Sequence, residues 1–201
     1  MINFDEIYTS LSKIAAASHR PALLAIDGRC GSGKSTFGEK LAAEWDAALF
    51  HMDDFYLQPH QRTVERLSEP GGNVDRERFL SEVLLPLQAG SPVNYRRFDC
   101  GTFTFEPGRL IEPKAIAIVE GSYACHPLLR SYYDLKIFLD IDPETQLERI
   151  GKRNGPEALK RFQSIWIPLE ETYFKECRIP DCCDYIIKWQ QPLIHAAPVS
   201  E

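Results

Sequence analysis

The sequence predicts an α/β fold with a mostly parallel sheet, and two observations lead to this prediction. Short apolar runs, typical of buried strands, alternate with segments of helical spacing along the 201-residue chain. A glycine-rich loop stands between the first apolar run and the helical segment that follows it. The length suits one domain over residues 1–201, which can bury a full core and still carry a small mobile lid.

The predicted elements follow one another in a regular order. Apolar side chains at helical spacing over residues 3–18 indicate an amphipathic helix on the outside of the domain. Short apolar runs predict five strands, at 21–26, 47–52, 115–119, 135–141 and 185–189. Helical composition or a proline start predicts three further helices, at 35–45, at 75–87 and from Pro143 onward. The irregular stretches 56–74 and 90–114 are predicted as loops, where such folds keep substrate residues.

Composition and charge exclude several classes of function. The formal net charge of −6 argues against a nucleic-acid binder, which needs a basic face. No apolar run approaches the length of a membrane span, and the acidic N-terminus is unlike a basic leader, so we expect a cytoplasmic protein. The six cysteines include no Cys-x-x-Cys pair and fit no usual zinc spacing. We therefore expect free thiols and no cysteine-bound metal.

The strongest functional signal is the glycine-rich loop at residues 28–36, which matches the pattern G-x-x-x-x-G-K-[ST]. Such a loop wraps backbone N–H groups around a polyphosphate, and the following helix presents its positive end to the same anion. Lys34 is predicted to reach the outer phosphates, and the Ser35 hydroxyl to ligate Mg²⁺. Arg29 and Cys30 stand at variable positions and are expected to face solvent or to pack loosely. The residues predicted to bind ATP are Gly28, Gly31, Ser32, Gly33, Lys34, Ser35 and Thr36.

Carboxylates follow two of the predicted strands. Glu120 closes the run 115–119, and in a parallel sheet it would lie near the phosphate loop, where a carboxylate can hold Mg²⁺. Asp53 and Asp54 follow the run 47–52 toward the same edge of the sheet. Phosphoryl transfer to a hydroxyl needs a carboxylate that accepts its proton, and either aspartate is suited to this role.

These segments resemble the uridine kinase and phosphoribulokinase group of P-loop kinases over most of the chain, from about residue 20 to about residue 189. The landmarks match in order and spacing as well as in identity. They are the phosphate loop, Asp53-Asp54-Phe55-Tyr56, Asn73-Val74-Asp75, Phe98-Asp99, Glu120-Gly121 and a late basic helix. The resemblance implies a P-loop NTPase-type, three-layer α/β/α fold with a small helical lid at about 149–162.

The resemblance also implies roles for individual residues. Asp53 is similar to the catalytic base of the family, and Glu120 to its metal-site acid. Three residues are implied to contact the acceptor: Tyr56, Asp75, which would bind ribose hydroxyls, and Phe98. Arg149 and Arg153 share one helix face and resemble catalytic lid arginines that close over the nucleotide phosphates, while Lys152 fits a solvated face equally well and Arg161 could join the set.

Two departures bear on the acceptor. Phe103 stands where uridine kinases usually carry a histidine that helps to recognise the base, so an apolar group replaces a hydrogen-bonding one. The run His51-Met52-Asp53-Asp54-Phe55 also resembles nicotinamide riboside kinases, which likewise have paired aspartates. Residues 165–174 resemble neither group well, which indicates a uridine kinase-like branch with its own acceptor.

The sequence thus predicts an enzyme that transfers phosphate from ATP, with Mg²⁺, to a hydroxyl of a small molecule, most simply a nucleoside such as uridine or cytidine. Nicotinamide riboside and other small metabolites are alternative acceptors. A switch ATPase that transfers phosphate only to water is a further alternative, although the Asn-Lys-x-Asp and Leu-Ser-Gly-Gly motifs of two such classes are missing. Neither nucleic acid nor membrane is expected as a partner, and a homo-oligomer is allowed.

Overall fold

The protein is described by a computed structural model that covers residues 4–188. Its strands, in chain order, are β1 (Ala22–Gly28), β2 (Ala48–His51), β3 (Val93–Tyr95), β4 (Phe98–Asp99), β5 (Thr104–Phe105), β6 (Arg109–Ile111), β7 (Ile116–Glu120), β8 (Leu135–Asp140) and β9 (Tyr185–Lys188). Strands β2, β7, β1, β8 and β9, in that order, form a five-stranded sheet in which every pair is parallel. The predicted fold class is confirmed.

The helices also follow the predicted order. They are α1 (Phe4–Ala17), α2 (Lys34–Glu44), α3 (Val64–Ser68), α4 (Arg76–Phe79), α5 (Leu85–Gln88), α6 (Pro143–Arg161), α7 (Ile167–Glu176) and α8 (Ile179–Cys182). Two π-helical stretches, Leu80–Leu84 and Phe162–Trp166, join α4 to α5 and α6 to α7. The predicted first helix (3–18) and last strand (185–189) each include one residue, 3 and 189, that lies outside the described residues.

The central sheet has a separate apolar core on each face. All seven residues of β1 are buried, and alternate side chains point to opposite faces. Leu24 and Ile26 belong to the core that α1 and α2 cover, together with Ile7, Leu11, Phe37 and Leu41. Leu23 and Ala25 belong to the opposite core, which includes Phe55, Phe79, Val83, Tyr173 and Phe174. The result is the three-layer α/β/α arrangement.

The two stretches predicted as loops contain more regular structure than expected. Segment 90–114 holds two small antiparallel pairs, β3 with β6 and β4 with β5, and segment 56–74 holds helix α3. These strands have only two or three residues each, which is too short for a period-2 pattern to be recognised in a sequence. The prediction of irregular loops was therefore wrong in these parts.

The carboxyl ends of three strands meet at one edge of the sheet. Glu120, the last residue of β7, lies opposite both Ile26 of β1 and His51 of β2. The chain leaves β1 into the glycine-rich loop, and it leaves β2 into a 3₁₀ turn, Met52–Phe55. The predicted phosphate loop and all three predicted acids are thereby brought to the same edge.

A partly buried arginine fixes the segment between Tyr56 and α4. Arg66 donates to the carbonyl oxygens of Gly72 and Val74, both at 2.9 Å, and pairs with Glu77 at 2.6 Å. Beside these contacts lies His126, which is 8% exposed. The Leu128 N–H donates to its Nδ1 at 3.1 Å, its Nε2 is 3.2 Å from Arg76, and its ring stacks on Tyr173.

Acidification is expected to destabilise the protein through His126. Its pKa is lowered to about 4, first by burial and then by the charge of Arg76; Arg66 acts in the same direction, whereas Glu69 and Glu77 oppose it. The unfolded chain takes up the proton near its ordinary pKa of 6.5 and the folded chain does not, so stability falls as the pH drops from about 6.5 toward 4, by at most roughly 3 kcal/mol.

The measurement is the free energy of unfolding in urea at about pH 7 and about pH 4.5, for the wild type and His126→Gln. Other titrating groups contribute equally to both proteins, so the wild type should lose more stability than the variant. An equal loss in the two proteins would show that His126 does not resist protonation.

Within residues 4–188, the helices are too short or too polar to traverse a lipid bilayer.

Candidate active site

The glycine-rich loop has the backbone that phosphate binding requires. It leaves β1 at Gly28 and enters α2 at Lys34, with positive φ at Gly31 (77°) and Gly33 (95°). These conformations favour glycine because a side chain would be strained there. The Lys34 ammonium folds over the loop and donates to the carbonyl oxygens of Gly28 at 2.7 Å and of Arg29 at 3.0 Å.

One hydroxyl in this loop is left without a partner. The Ser32 Oγ is buried and makes no hydrogen bond to any of the residues that the structure describes. A buried polar atom without a partner is unfavourable, so such an atom in a loop of this shape fits a site where an oxygen-rich ligand supplies the missing contact.

The two variable positions of the loop are anchored, and the expectation of loose packing was wrong. Arg29 pairs with Asp140 at 2.8 Å and also with Glu171 of α7. The Cys30 N–H donates to the carboxylate of Glu170 at 2.9 Å, and burial raises the pKa of the Cys30 thiol to about 12. These partners lie more than 100 residues away in sequence, so no local pattern could reveal them.

Two buried acids beside the loop were missed by the sequence reasoning. Asp27 is fully buried and accepts hydrogen bonds from the N–H groups of Gly28 (2.7 Å) and Cys125 (2.9 Å) and from the Tyr173 hydroxyl (2.8 Å). Burial raises the pKa of Asp27. Glu170, 4% exposed, also accepts from the Ser122 hydroxyl at 2.6 Å. Asp27 could have been noticed as an acid that ends an apolar run directly before the loop; Glu170 gives no such signal.

Ser35 and Glu120 meet beside the loop, as the sequence predicts. The Ser35 hydroxyl donates to one oxygen of Glu120 at 3.2 Å, and His51 Nδ1 lies 2.5 Å from the other. Glu120 is 3% exposed, and its hydrogen bond is the main reason why the pKa of His51 is raised. Hydroxyl and carboxylate oxygens are the donors that Mg²⁺ prefers, so the pair fits a magnesium site.

The two aspartates of the turn Met52–Phe55 have different surroundings. Asp53 is exposed and accepts one hydrogen bond, from the Tyr56 hydroxyl at 3.2 Å. Asp54 accepts from the Tyr95 hydroxyl at 2.6 Å and pairs with Arg97 at 3.2 Å. Asp54 is therefore held in place by its neighbours, whereas Asp53 is available to a ligand.

The pKa of the Asp53 carboxyl is raised. The largest cause is the displacement of water by surrounding protein. The charge of Lys34 lowers the pKa, and the charge of Glu120 raises it further. Although Asp53 is exposed, it thus has an environment that makes the carboxylate a stronger base than an aspartate in water.

The other two predicted acceptor residues are buried. Asp75, 3% exposed, caps α4 by accepting from the Arg78 N–H at 3.0 Å, and it accepts from Gln61 Nε2 at 2.9 Å. Phe98 is 3% exposed and packs against Phe105 at 5.3 Å between ring centroids. A direct contact of either residue with an acceptor stays a prediction, and for Asp75 it requires the Gln61 side chain to move.

The predicted lid residues lie on α6, whose helical path is broken at Gly155 (φ 81°) just before Pro156. Arg149 donates to the Gly31 carbonyl oxygen at 3.4 Å, while Arg153 is exposed and contacts Asn154. Within residues 4–188 neither of them, nor Arg161, pairs with a carboxylate, whereas Lys152 pairs with Glu148 at 2.6 Å. The arginines therefore keep their charge free for an anion, and Lys152 belongs to the solvated face.

Known proteins resemble this chain in sequence and in fold. The chain is 30% identical over 155 residues to a uridine kinase of Clostridium novyi, an alignment that covers 73% of this chain and 74% of the relative. Its fold is similar to that of a fructose transport system kinase from Silicibacter sp. TM1040 (TM-score 0.67, 22% identity, 88% and 98% of the two chains). It is also similar to that of a possible uridine kinase from Bacillus stearothermophilus (TM-score 0.64, 19% identity). The match covers 92% of this chain and 100% of the other.

No family model matches the sequence. The relative in Clostridium novyi nevertheless shares about three quarters of its length with this chain, and the structural neighbours share the parallel sheet that carries the phosphate loop. The chain is a kinase and belongs to the uridine kinase-like family of P-loop kinases.

Proposed function

We propose that this kinase transfers the γ-phosphoryl group of ATP to a hydroxyl group of a nucleoside, uridine or cytidine, and that Asp53 is the base. The observation that carries the proposal is the difference between the paired aspartates. Asp53 is exposed and its pKa is raised, whereas Asp54 is held by Tyr95 and Arg97. A base for a hydroxyl acceptor is unnecessary in a protein that only binds a nucleotide, so this arrangement favours transfer to an acceptor.

The phosphate side of the reaction is served by the loop and the lid. Lys34, the Ser32 hydroxyl and the backbone N–H groups at the start of α2 bind the phosphate chain of ATP. Ser35 and Glu120 would hold Mg²⁺, which would supply positive charge to the phosphates of ATP. Arg149 and Arg153 close from α6 and offset the charge that develops on the transferred group.

The acceptor side is formed by Asp53 and Tyr56. The acceptor oxygen bonds to the γ-phosphorus as the bond from this phosphorus to the ADP oxygen breaks on its opposite side, and the acceptor hydroxyl gives its proton to Asp53. The Tyr56 hydroxyl, which donates to Asp53 at 3.2 Å, orients the carboxylate and lines the space next to it. The uridine kinase of Clostridium novyi supports a nucleoside as the acceptor.

The test is ADP release from MgATP in the presence of single acceptors and in the absence of any. The panel contains uridine, cytidine, nicotinamide riboside, ribulose 5-phosphate, pantothenate and fructose, the last because one structural neighbour is a fructose transport system kinase. We expect uridine or cytidine to raise ADP release at least tenfold above the acceptor-free rate, which is set by water as a poorly positioned nucleophile.

Stimulation by another member of the panel would be consistent with a kinase but would replace the proposed acceptor. ADP release that is equal with every acceptor and without any would contradict transfer to these molecules and favour a switch ATPase.

A further inference from the structure

A continuous line of side chains leads from Asp53 to the tip of the β4–β5 hairpin. Tyr56 contacts Asp53, and the Cys100 thiol lies near enough to Tyr56 to contribute to the raised pKa of its phenol, for which burial is the main cause. The Nη2 atom of Arg62 lies 3.7 Å from the Cys100 sulfur. The guanidinium carbon of Arg62 lies over the Phe103 ring, 5.5 Å from its centroid. The line therefore connects the proposed base to this hairpin.

Arg62 differs from the other arginines between residues 56 and 97. Each of those pairs with a carboxylate: Arg66, Arg76, Arg78, Arg96 and Arg97. Arg62 has no carboxylate partner in the part of the chain that the structure describes. It uses one N–H on the Leu57 carbonyl oxygen at 2.9 Å and one on a weak sulfur acceptor, so most of its five donors stay free.

Phe103 lies beside Arg62 at the tip of the β4–β5 hairpin. It is 51% exposed and has a positive φ of 56°, an uncommon conformation for a large side chain, at the turn between β4 and β5. The turn is held by Asp99, whose carboxylate accepts from the Gly101 N–H at 2.6 Å. An exposed ring stacked with an oriented guanidinium offers a flat apolar surface and a set of donors side by side.

We propose that Arg62 and Phe103 form the subsite for the base of the nucleoside acceptor, with the guanidinium donating to the carbonyl oxygens of a uracil ring. This inference rests on the function proposed above. It assigns base recognition to a residue of the 56–74 segment, and it accounts for an apolar residue at position 103, because the donors come from Arg62 and the ring supplies only stacking.

The subsite has a direct consequence for specificity. Uracil presents a carbonyl acceptor at ring position 4, where cytosine presents an amino donor. A guanidinium donates and never accepts, so it matches the uracil edge and opposes the cytosine amino group. We therefore expect the enzyme to prefer uridine to cytidine in kcat/KM by about tenfold or more, the usual effect of one hydrogen bond to a charged group.

The experiment compares kcat/KM for uridine and cytidine in the wild type, Arg62→Gln and Arg62→Lys. Glutamine donates and accepts, so we expect the preference to fall to within about threefold, with KM for uridine raised and KM for ATP unchanged. Lysine only donates, so the preference should keep its direction. The matched control is Arg178→Gln, which removes an exposed arginine paired with Asp181 beside α8. It should leave kcat/KM for uridine and for cytidine at the wild-type level.

The outcomes separate the subsite from the function on which it rests. A wild type that turns over uridine, with a preference that Arg62→Gln leaves intact, overturns the subsite alone. An Arg62→Gln enzyme whose KM for ATP rises as much as its KM for uridine overturns it as well, because Arg62 would then act on the active site as a whole. A wild type that no nucleoside stimulates overturns the proposed function and the subsite together.

Discussion

Replacing Asp53 by asparagine is expected to lower kcat with the best acceptor by about 10²- to 10⁴-fold, with KM for ATP little changed. Asparagine keeps an oxygen that can accept the hydrogen bond of Tyr56, so the local structure should persist. It cannot accept the proton of the acceptor hydroxyl, and the raised pKa that suits Asp53 to this step is lost with the carboxylate. The measurement is steady-state ADP release at saturating acceptor and MgATP.

The matched control is Asp54→Asn, one residue further along the same turn. Its side chain can still accept from the Tyr95 hydroxyl and loses only its charge toward the exposed Arg97, so kcat should stay within about tenfold of the wild type. If Asp54→Asn abolished acceptor phosphorylation while Asp53→Asn retained it, the assignment of the base would be reversed.

The fold could be predicted largely because its strands are apolar and its helices begin at recognisable residues. The run that contains β1 is followed at once by the glycine-rich loop, and Pro143 begins α6 where a proline is favoured. The small hairpins of segment 90–114 could not be predicted, since strands such as Phe98–Asp99 are too short to show alternation. Their positions depend on side chains packed far from them in sequence, such as Arg78 over the Phe105 ring at 5.0 Å.

Part of the candidate site could likewise be predicted from the sequence, and part could not. The phosphate loop, Glu120 and the paired aspartates follow directly from strand ends in a parallel sheet, where the chain brings them together. The choice between Asp53 and Asp54 needed the structure, because it depends on Tyr95 and on the ion pair of Asp54. The anchoring of the loop by α7 also depends on contacts across about 140 residues, which no local pattern encodes.

Replacing Gly28 by alanine is expected to destabilise the protein by about 4 kcal/mol or more, which is a large part of the stability of an ordinary domain. Gly28 has a φ of 139°, a region that other residues rarely adopt, and an added Cβ would lie 2.2 Å from the carbonyl oxygen of Leu139. The atoms it would meet are backbone atoms of Leu139 in β8, the strand that pairs with β1 in the sheet, so they cannot move away easily. The measurement is the free energy of unfolding in urea.

Gly155→Ala separates the two causes of this loss. Gly155 also has a positive φ, 81°, but an added Cβ there meets no atom within 4 Å. This variant should therefore show only the backbone strain, about 1–2 kcal/mol, and the difference between the two variants measures the clash with Leu139. Equal losses in the two variants would mean that β1 and β8 can separate at this point. The close approach of the strands would then not fix where the phosphate loop begins.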